Sequence, residues 1–208
     1  ERIYTDLLER DRAAYGEHLL TSLNLNDLAG IASRKGQLDR AEEFYRAAYD
    51  MQRRVLPENH LELGTSASNL GTVLRRIRRY DEAQAYVEES LEIRRANLPP
   101  THPNVLTSLN TLAVIFGDKQ DYARALELAQ EVLDARRQRL GDHVETAGSL
   151  YTCAHLALKS GRLDDSLEFA AESVAIFDRV AEGTNIFSAS AALFLGDNLA
   201  KVGRADEG

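Results

Sequence analysis

The sequence predicts an all-α fold, a right-handed solenoid of stacked antiparallel helical hairpins. Three observations carry this. Histidines recur at His18, His60, His102 and His143, in steps of 42, 42 and 41 residues. A small side chain follows each by 23 residues, at Ala41, Ala83, Ala125 and Ser166. A third marker keeps the same frame: Leu28-Ala29, Leu70-Gly71, Leu112-Ala113, Cys153-Ala154 and Leu195-Gly196. Markers of three kinds held in one phase define a repeat, and a repeat that reads as a helical pair must stack on its neighbours to bury its apolar faces.

The repeats are read as one array over residues 1–208: a second helix alone over 1–18, then units 19–60, 61–102, 103–143 and 144–185, and a first helix alone over 186–208. In the second whole unit Ala67, Leu70, Gly71, Leu74 and Ile77 form one helical stripe at the i, i+3, i+4 spacing. Turns RKGQLD, RIRRYD, DKQDYA, KSGRLD and KVGRAD follow the first helices, with Gly36, Gly161 and Gly203 where a helix ends and positive φ is useful, and Arg78 and Gln120 in that place in the other two. Second helices open on acids (Asp39, Asp81-Glu82, Asp164-Asp165) and close on bases (Arg53-Arg54, Arg94-Arg95, Arg136-Arg137), the polarity the helix dipole favours. Loops LPENH, LPPTH and RLGDH stop them. Close helix approach is expected at Ala29, Gly71, Ala113, Ala154 and Gly196 and at Ala41, Ala83 and Ala125. The larger core candidates are Leu28, Phe44, Leu70, Tyr86, Leu112, Leu128 and Phe169. An array cut mid-repeat at both ends is expected to be part of a longer protein or to cover its ends by self-association.

Leu-small in the first helix, Gly before a Tyr/Leu-Asp turn and Ala in the second helix resemble the tetratricopeptide repeat. The 42-residue period, with segments such as SLEIRRANLPPTHPNV (90–105), is similar to the longer variant of kinesin light chains and many bacterial proteins. HEAT-type hairpins share the period but lack the Leu-small and Ala signature. The resemblance implies that first helices line a concave face, and that the ligands are short linear peptides, often acidic. It says little of function by itself, because the repeat serves many roles.

Composition narrows the classes. With 25 Lys+Arg against 33 Asp+Glu the net charge is −8, the reverse of what a non-specific nucleic-acid binder needs. No apolar run reaches the ~18 residues of a membrane span, and no secretory signal is present. Neither nucleic acid nor membrane is an expected partner. One cysteine, Cys153, permits no intrachain disulfide and fits a reducing, cytoplasmic compartment. A bias to Arg and Ala is expected of a GC-rich bacterial genome. Histidines one repeat apart stand roughly 16–20 Å from each other, too far to share a metal, so a role at helix entry is expected of them. Cys153 and His155, at i and i+2, point to different faces of a helix, and the paired carboxylates Glu42-Glu43, Glu88-Glu89 and Asp164-Asp165 do not converge. No P-loop, GxGxxG, HExxH or GxSxG occurs. No enzyme, cofactor or metal is expected.

The remaining candidate is the groove face opposite the core stripe: Asn26 and Arg34; Ser68, Asn69, Thr72, Arg75 and Arg76; Asn110; Tyr151, His155 and Lys159. An amide can pair with a peptide backbone and an arginine can grip a carboxylate with two bonds. The expected function is a scaffold whose groove binds a peptide or partner segment, acidic in character. The alternative is a regulatory or oligomerising arm of a larger signalling enzyme, with no chemistry of its own. Arg78 and Arg79, in the turn of LRRIRRY (74–80), are expected to be solvated.

Overall fold

The computed structural model describes residues 19–180 and 186–206, all in helices and short connections. The helices are α1 (Leu19–Arg34), α2 (Leu38–Val55), α3 (Leu61–Arg76), α4 (Tyr80–Asn97), α5 (Pro103–Asp118), α6 (Tyr122–Leu140), α7 (Val144–Lys159), α8 (Leu163–Val180) and α9 (Ile186–Asp206). This is an all-α architecture of successive hairpins, of the α-solenoid class. The readings for 1–18, His18 and the 181–185 junction lie outside the described residues. The chain divides into two compact units, 1–111 and 112–208. In the first, α1 packs on α2, α2 on α3 and α3 on α4; in the second, α6 packs on α7, α7 on α8 and α8 on α9.

The first helices α3, α5 and α7 are each entered through a histidine. The Nδ1 atoms of His60, His102 and His143 accept the backbone N–H of Glu62, Asn104 and Glu145 at 3.2, 3.1 and 3.2 Å. Each thus satisfies one of the N–H groups that the first turn of a helix leaves without a partner. The 42-residue histidine period is the period of this cap. Among the described residues no group of three or more metal-ligating side chains gathers.

The first helices α1, α3, α5 and α7 all end the same way. Gly36, Arg78, Gln120 and Gly161 take positive φ, at 75°, 65°, 64° and 80°. The next N–H reaches back five residues: Gln37 to Ala32, Arg79 to Leu74, Asp121 to Phe116 and Arg162 to Ala157. That pair of features is the Schellman ending. The turn geometry is therefore kept where glycine is not, and at Arg78 and Gln120 a side chain with a Cβ sits in the left-handed region, at a cost of about 1–2 kcal/mol. Part of that cost is offset because a glycine has more freedom to lose on folding. Arg78→Gly and Gln120→Gly are each expected to raise the unfolding free energy by about 0.5–1 kcal/mol, read by urea titration. A loss of stability in both would contradict this account. At Gly203 the expected helix end is absent: α9 runs on to Asp206, because its i→i−4 ladder continues where the other first helices turn. Glycine inside a helix is tolerated at about 1 kcal/mol.

In the first unit, Leu25, Leu28, Ala48 and Met51 form one core cluster. Ala32, Ala41 and Val73 form another that ties the first hairpin to the next. In the second unit Leu126, Leu133, Leu150, Cys153, Ile176 and Phe177 pack together. Burying each such leucine contributes about 1.5–3 kcal/mol. Ala41, Ala83 and Ala125 are fully buried, and Ser166 holds the same place by donating to the Ala154 carbonyl at 2.8 Å. Leu28, Leu70 and Leu112 are core residues. Phe44, Tyr86, Leu128 and Phe169, also expected in the core, are only half-buried. They stand three residues after the small marker, at the flank of the stripe. The deep positions of the second helices belong instead to Met51, Val87, Leu91, Leu126, Leu133 and Phe177. Gly196 is exposed with open space around it, so it makes no close helix contact; Gly71 does.

Candidate functional site

Two faces of the first unit differ in how their charges are used. On the second-helix face, every charged side chain of a connected set finds a partner. Arg46 holds Glu42 at 2.8 Å and donates to the Tyr86 hydroxyl at 3.0 Å. Tyr49 donates to Glu89 at 2.6 Å, and Arg53 reaches the same carboxylate at 3.1 Å. Arg79 joins Glu42 at 2.9 Å to Glu82 at 2.6 Å. Three arginines thus balance three glutamates across successive repeats. Burial, and then the bond to Glu89, push the Tyr49 hydroxyl up to about 12, so it stays a donor at neutral pH. This set corrects the expectation for Arg79. It is exposed, but it links two repeats instead of merely facing water. Such pairs contribute about 0–1 kcal/mol each. Glu42 and Glu89 are thereby occupied.

The groove face is different. Between α1 and α3, floored by Tyr45 of α2, lies a cavity of 620 Å³ lined by residues that include Asn26, Asp27, Gly30, Arg34, Glu62 and Asn69. Asn26, Arg34 and Asn69 were expected in a groove, and the fold brings them together. Asp27, Glu62 and Tyr45 were not expected there. Among the described residues, no side chain pairs or hydrogen bonds with the side chains of Asp27, Arg34, Glu62 or Asn69. Asn26 donates to the Ser66 hydroxyl at 2.7 Å, and its own Oδ1 has no donor. Gly30 keeps the wall open: a methyl group there would sit in ordinary contact with the Arg34 guanidinium and the Tyr45 hydroxyl, at 3.5 and 3.6 Å. Burial raises the Tyr45 pKa, with Arg34 pulling it down and Asp27 pushing it up.

The remaining candidates are placed differently. Ser68 is buried and offers no groove surface. Thr72 is exposed and donates to the Ser68 carbonyl at 2.8 Å. Arg76 donates to the Ser33 carbonyl and hydroxyl at 3.2 and 2.6 Å, tying the end of α3 to the end of α1. Arg75 is half-buried beside it, and Asn110 is half-buried on α5.

In the second unit Tyr151 and His155 meet edge to face at 4.6 Å, and Phe194 of α9 closes on His155 at 4.0 Å and on Tyr151 at 5.8 Å. Lys159 lies over the Tyr122 ring at 5.3 Å. Burial, then the Lys159 charge, lower the His155 pKa and keep the ring neutral at physiological pH. Phe194 escaped the sequence reading because it stands one position past Leu193, the residue in the register of Tyr151. Cys153 is fully buried in the core, and burial pushes its thiol up to about 12. A thiol that stays protonated and covered is inert. The folded protein is therefore expected to resist iodoacetamide at pH 8 and to react within minutes in 6 M guanidinium, as read by intact mass. Rapid labelling of folded protein would refute the burial.

Profiles of the tetratricopeptide repeat match residues 62–138 and 118–179, and another profile of the same repeat matches 25–62. The chain belongs to the tetratricopeptide repeat family. Solved structures agree on the fold of this tetratricopeptide protein. A Podosopora anserina kinesin light chain with nearly identical TPR-like repeats is 20% identical, with a TM-score of 0.81 over 91% of this chain and 90% of that one. BtubC (BKLC) from P. vanneervenii is 21% identical, with a TM-score of 0.77 over 97% and 82%. The apo form of RapI is 15% identical, with a TM-score of 0.81 over 97% of this chain and 54% of that one. No curated protein matches by sequence. The tetratricopeptide fold is in general a protein–protein interaction scaffold without chemistry of its own. No helix among the described residues is long and apolar enough to cross a membrane.

Proposed function

We propose that the α1–α3 groove binds a peptide or segment of a partner protein, and that the chain acts as a non-catalytic recognition module. One observation carries this: among the described residues no side chain pairs with those of Asp27, Arg34, Glu62 or Asn69, while on the opposite face Arg46, Arg53 and Arg79 neutralise Glu42, Glu82 and Glu89. Asp27 and Arg34 are exposed and Glu62 and Asn69 half-buried, so all four are open to a ligand, and the Asn26 Oδ1, buried without a donor, is a cost that a ligand N–H can recover. Asn69 is suited to a peptide backbone, and Arg34 to a carboxylate. Arg76 at the end of α3, held by the neutral Ser33, adds positive charge next to that groove, which supports an acidic residue in the partner. Tyr151, His155 and Phe194 form a separate aromatic patch on the second unit that suits an apolar side chain.

The test is affinity capture from native extract with wild type and with Arg34→Glu/Asn69→Ala, followed by calorimetry on any captured protein. Both changes are at positions without internal side-chain partners, so helicity should be unchanged by circular dichroism. A partner held by the wild type and weakened at least ~10-fold by the variant, about 1.4 kcal/mol, is the expected result. Equal affinity for both proteins would exclude this groove.

A further inference from the structure

We infer that the segment held in the α1–α3 groove carries charges of both signs: a lysine or arginine set against Asp27 and Glu62, and a carboxylate set against Arg34. This rests on the groove being the binding site. It departs from a purely acidic ligand, because the cavity is lined by two carboxylates and one guanidinium, and a ligand of acids alone would place like charge against Asp27 and Glu62.

The charges are not spent on each other. Asp27 and Arg34 are seven residues apart on one helix, a rise of about 10 Å at ~1.5 Å per residue. The Arg34 guanidinium reaches back beside Gly30, yet among the described residues it forms no ion pair with Asp27 or Glu62. Both still act on the same hydroxyl, that of Tyr45, with opposite sign. This places the two charges along one wall of one cavity. Asn26 adds to the demand for donors: it lines the groove, and its Oδ1 has none. An ammonium or guanidinium supplies several donors at once.

The experiment is selection from a randomised dodecapeptide library displayed on phage, against wild type, Asp27→Lys/Glu62→Lys and Arg34→Glu. The wild type should enrich peptides that carry both a Lys or Arg and an Asp or Glu. A peptide so selected should lose at least ~10-fold in affinity for each variant, and selection against Asp27→Lys/Glu62→Lys should drop the basic residue. Peptides that need Arg34 but ignore the Asp27/Glu62 reversal would overturn this inference and leave the groove reading standing. Peptides that ignore all three substitutions, or a selection that enriches nothing, would overturn both.

Discussion

Replacing Gly71 with alanine is expected to lower the unfolding free energy by about 2–3 kcal/mol, the range of an overpacked core. A Cβ at this position would sit 2.5 Å from Val87 Cγ2 and 3.0 Å from the Ala83 carbonyl oxygen. Neither neighbour can move away cheaply: Val87 and Ala83 are fully buried, valine is stiff at χ1, and the carbonyl is part of the α4 backbone. What makes the prediction specific is the register. Alanine holds the equivalent place in the other repeats, at Ala29, Ala113 and Ala154, so alanine as such suits this position of the fold. In two of those repeats the residue in the register of Val87 is itself alanine, Ala129 or Ala170. The third and fourth repeats thus fill this interhelical space with alanine and alanine where the second uses glycine and valine, while the first sets Ala29 with the half-buried Tyr45 in that register. Val87→Ala alone should leave a cavity and cost about 1–2 kcal/mol. The double variant Gly71→Ala/Val87→Ala should be more stable than the two costs summed by at least ~1 kcal/mol, a coupling that a double-mutant cycle in urea measures directly. Additive costs would mean that the two side chains do not share the space.

That pairing explains why the sequence revealed the fold so readily and the groove so incompletely. A period shows wherever one position meets one recurrent demand. The histidines recur because each first helix needs an N-terminal acceptor, and the small residues recur because each hairpin closes to the same distance. Arg78 and Gln120 break the glycine pattern, yet the turn persists because two backbone hydrogen bonds hold it against the strain. The groove expectation located Asn26, Arg34 and Asn69 by applying the same phase to the opposite helix face, but the phase says nothing of what a side chain touches. Arg76 reads as groove and is tied to Ser33; Arg79 reads as solvated and joins Glu42 to Glu82. Such partners lie 36–43 residues apart, and which arginine takes which acid depends on side-chain reach across the repeat step. Asp27 and Glu62 were not placed in the groove because acids on a helix usually face water, and only the fold shows that both line one cavity with Arg34 and Tyr45.

Arg94 was read only as a base at the end of a helix, and the structure gives it a larger part. It is 6% exposed. One guanidinium nitrogen donates to the Asn104 carbonyl at 2.9 Å and to the Ser108 hydroxyl at 2.8 Å, clamping the end of α4 to the first turns of α5. Its Nε has no partner, no carboxylate among the described residues pairs with it, and burial lowers its pKa. In the same register Arg136 likewise donates to a serine of the next first helix, Ser149 at 2.6 Å, whereas Gln52 donates to Ser22 of its own hairpin at 3.1 Å. What the register requires is therefore a long side chain that donates to a serine; the charge is incidental and costs desolvation. Arg94→Ala removes both bonds, leaves the Ser108 hydroxyl with Ser90 alone, costs the Asn104 carbonyl a donor and opens a cavity, for an expected loss of about 2–4 kcal/mol. Arg94→Gln keeps a side-chain N–H donor in a register where Gln52 is already buried and bonded to a serine, and it sheds the buried charge. It is expected to fall within about 1 kcal/mol of the wild type. Urea unfolding of the three proteins separates the possibilities. If glutamine proves as damaging as alanine, the positive charge itself is what holds α4 to α5. If alanine costs less than about 1 kcal/mol, the two hydrogen bonds contribute nothing that water does not replace.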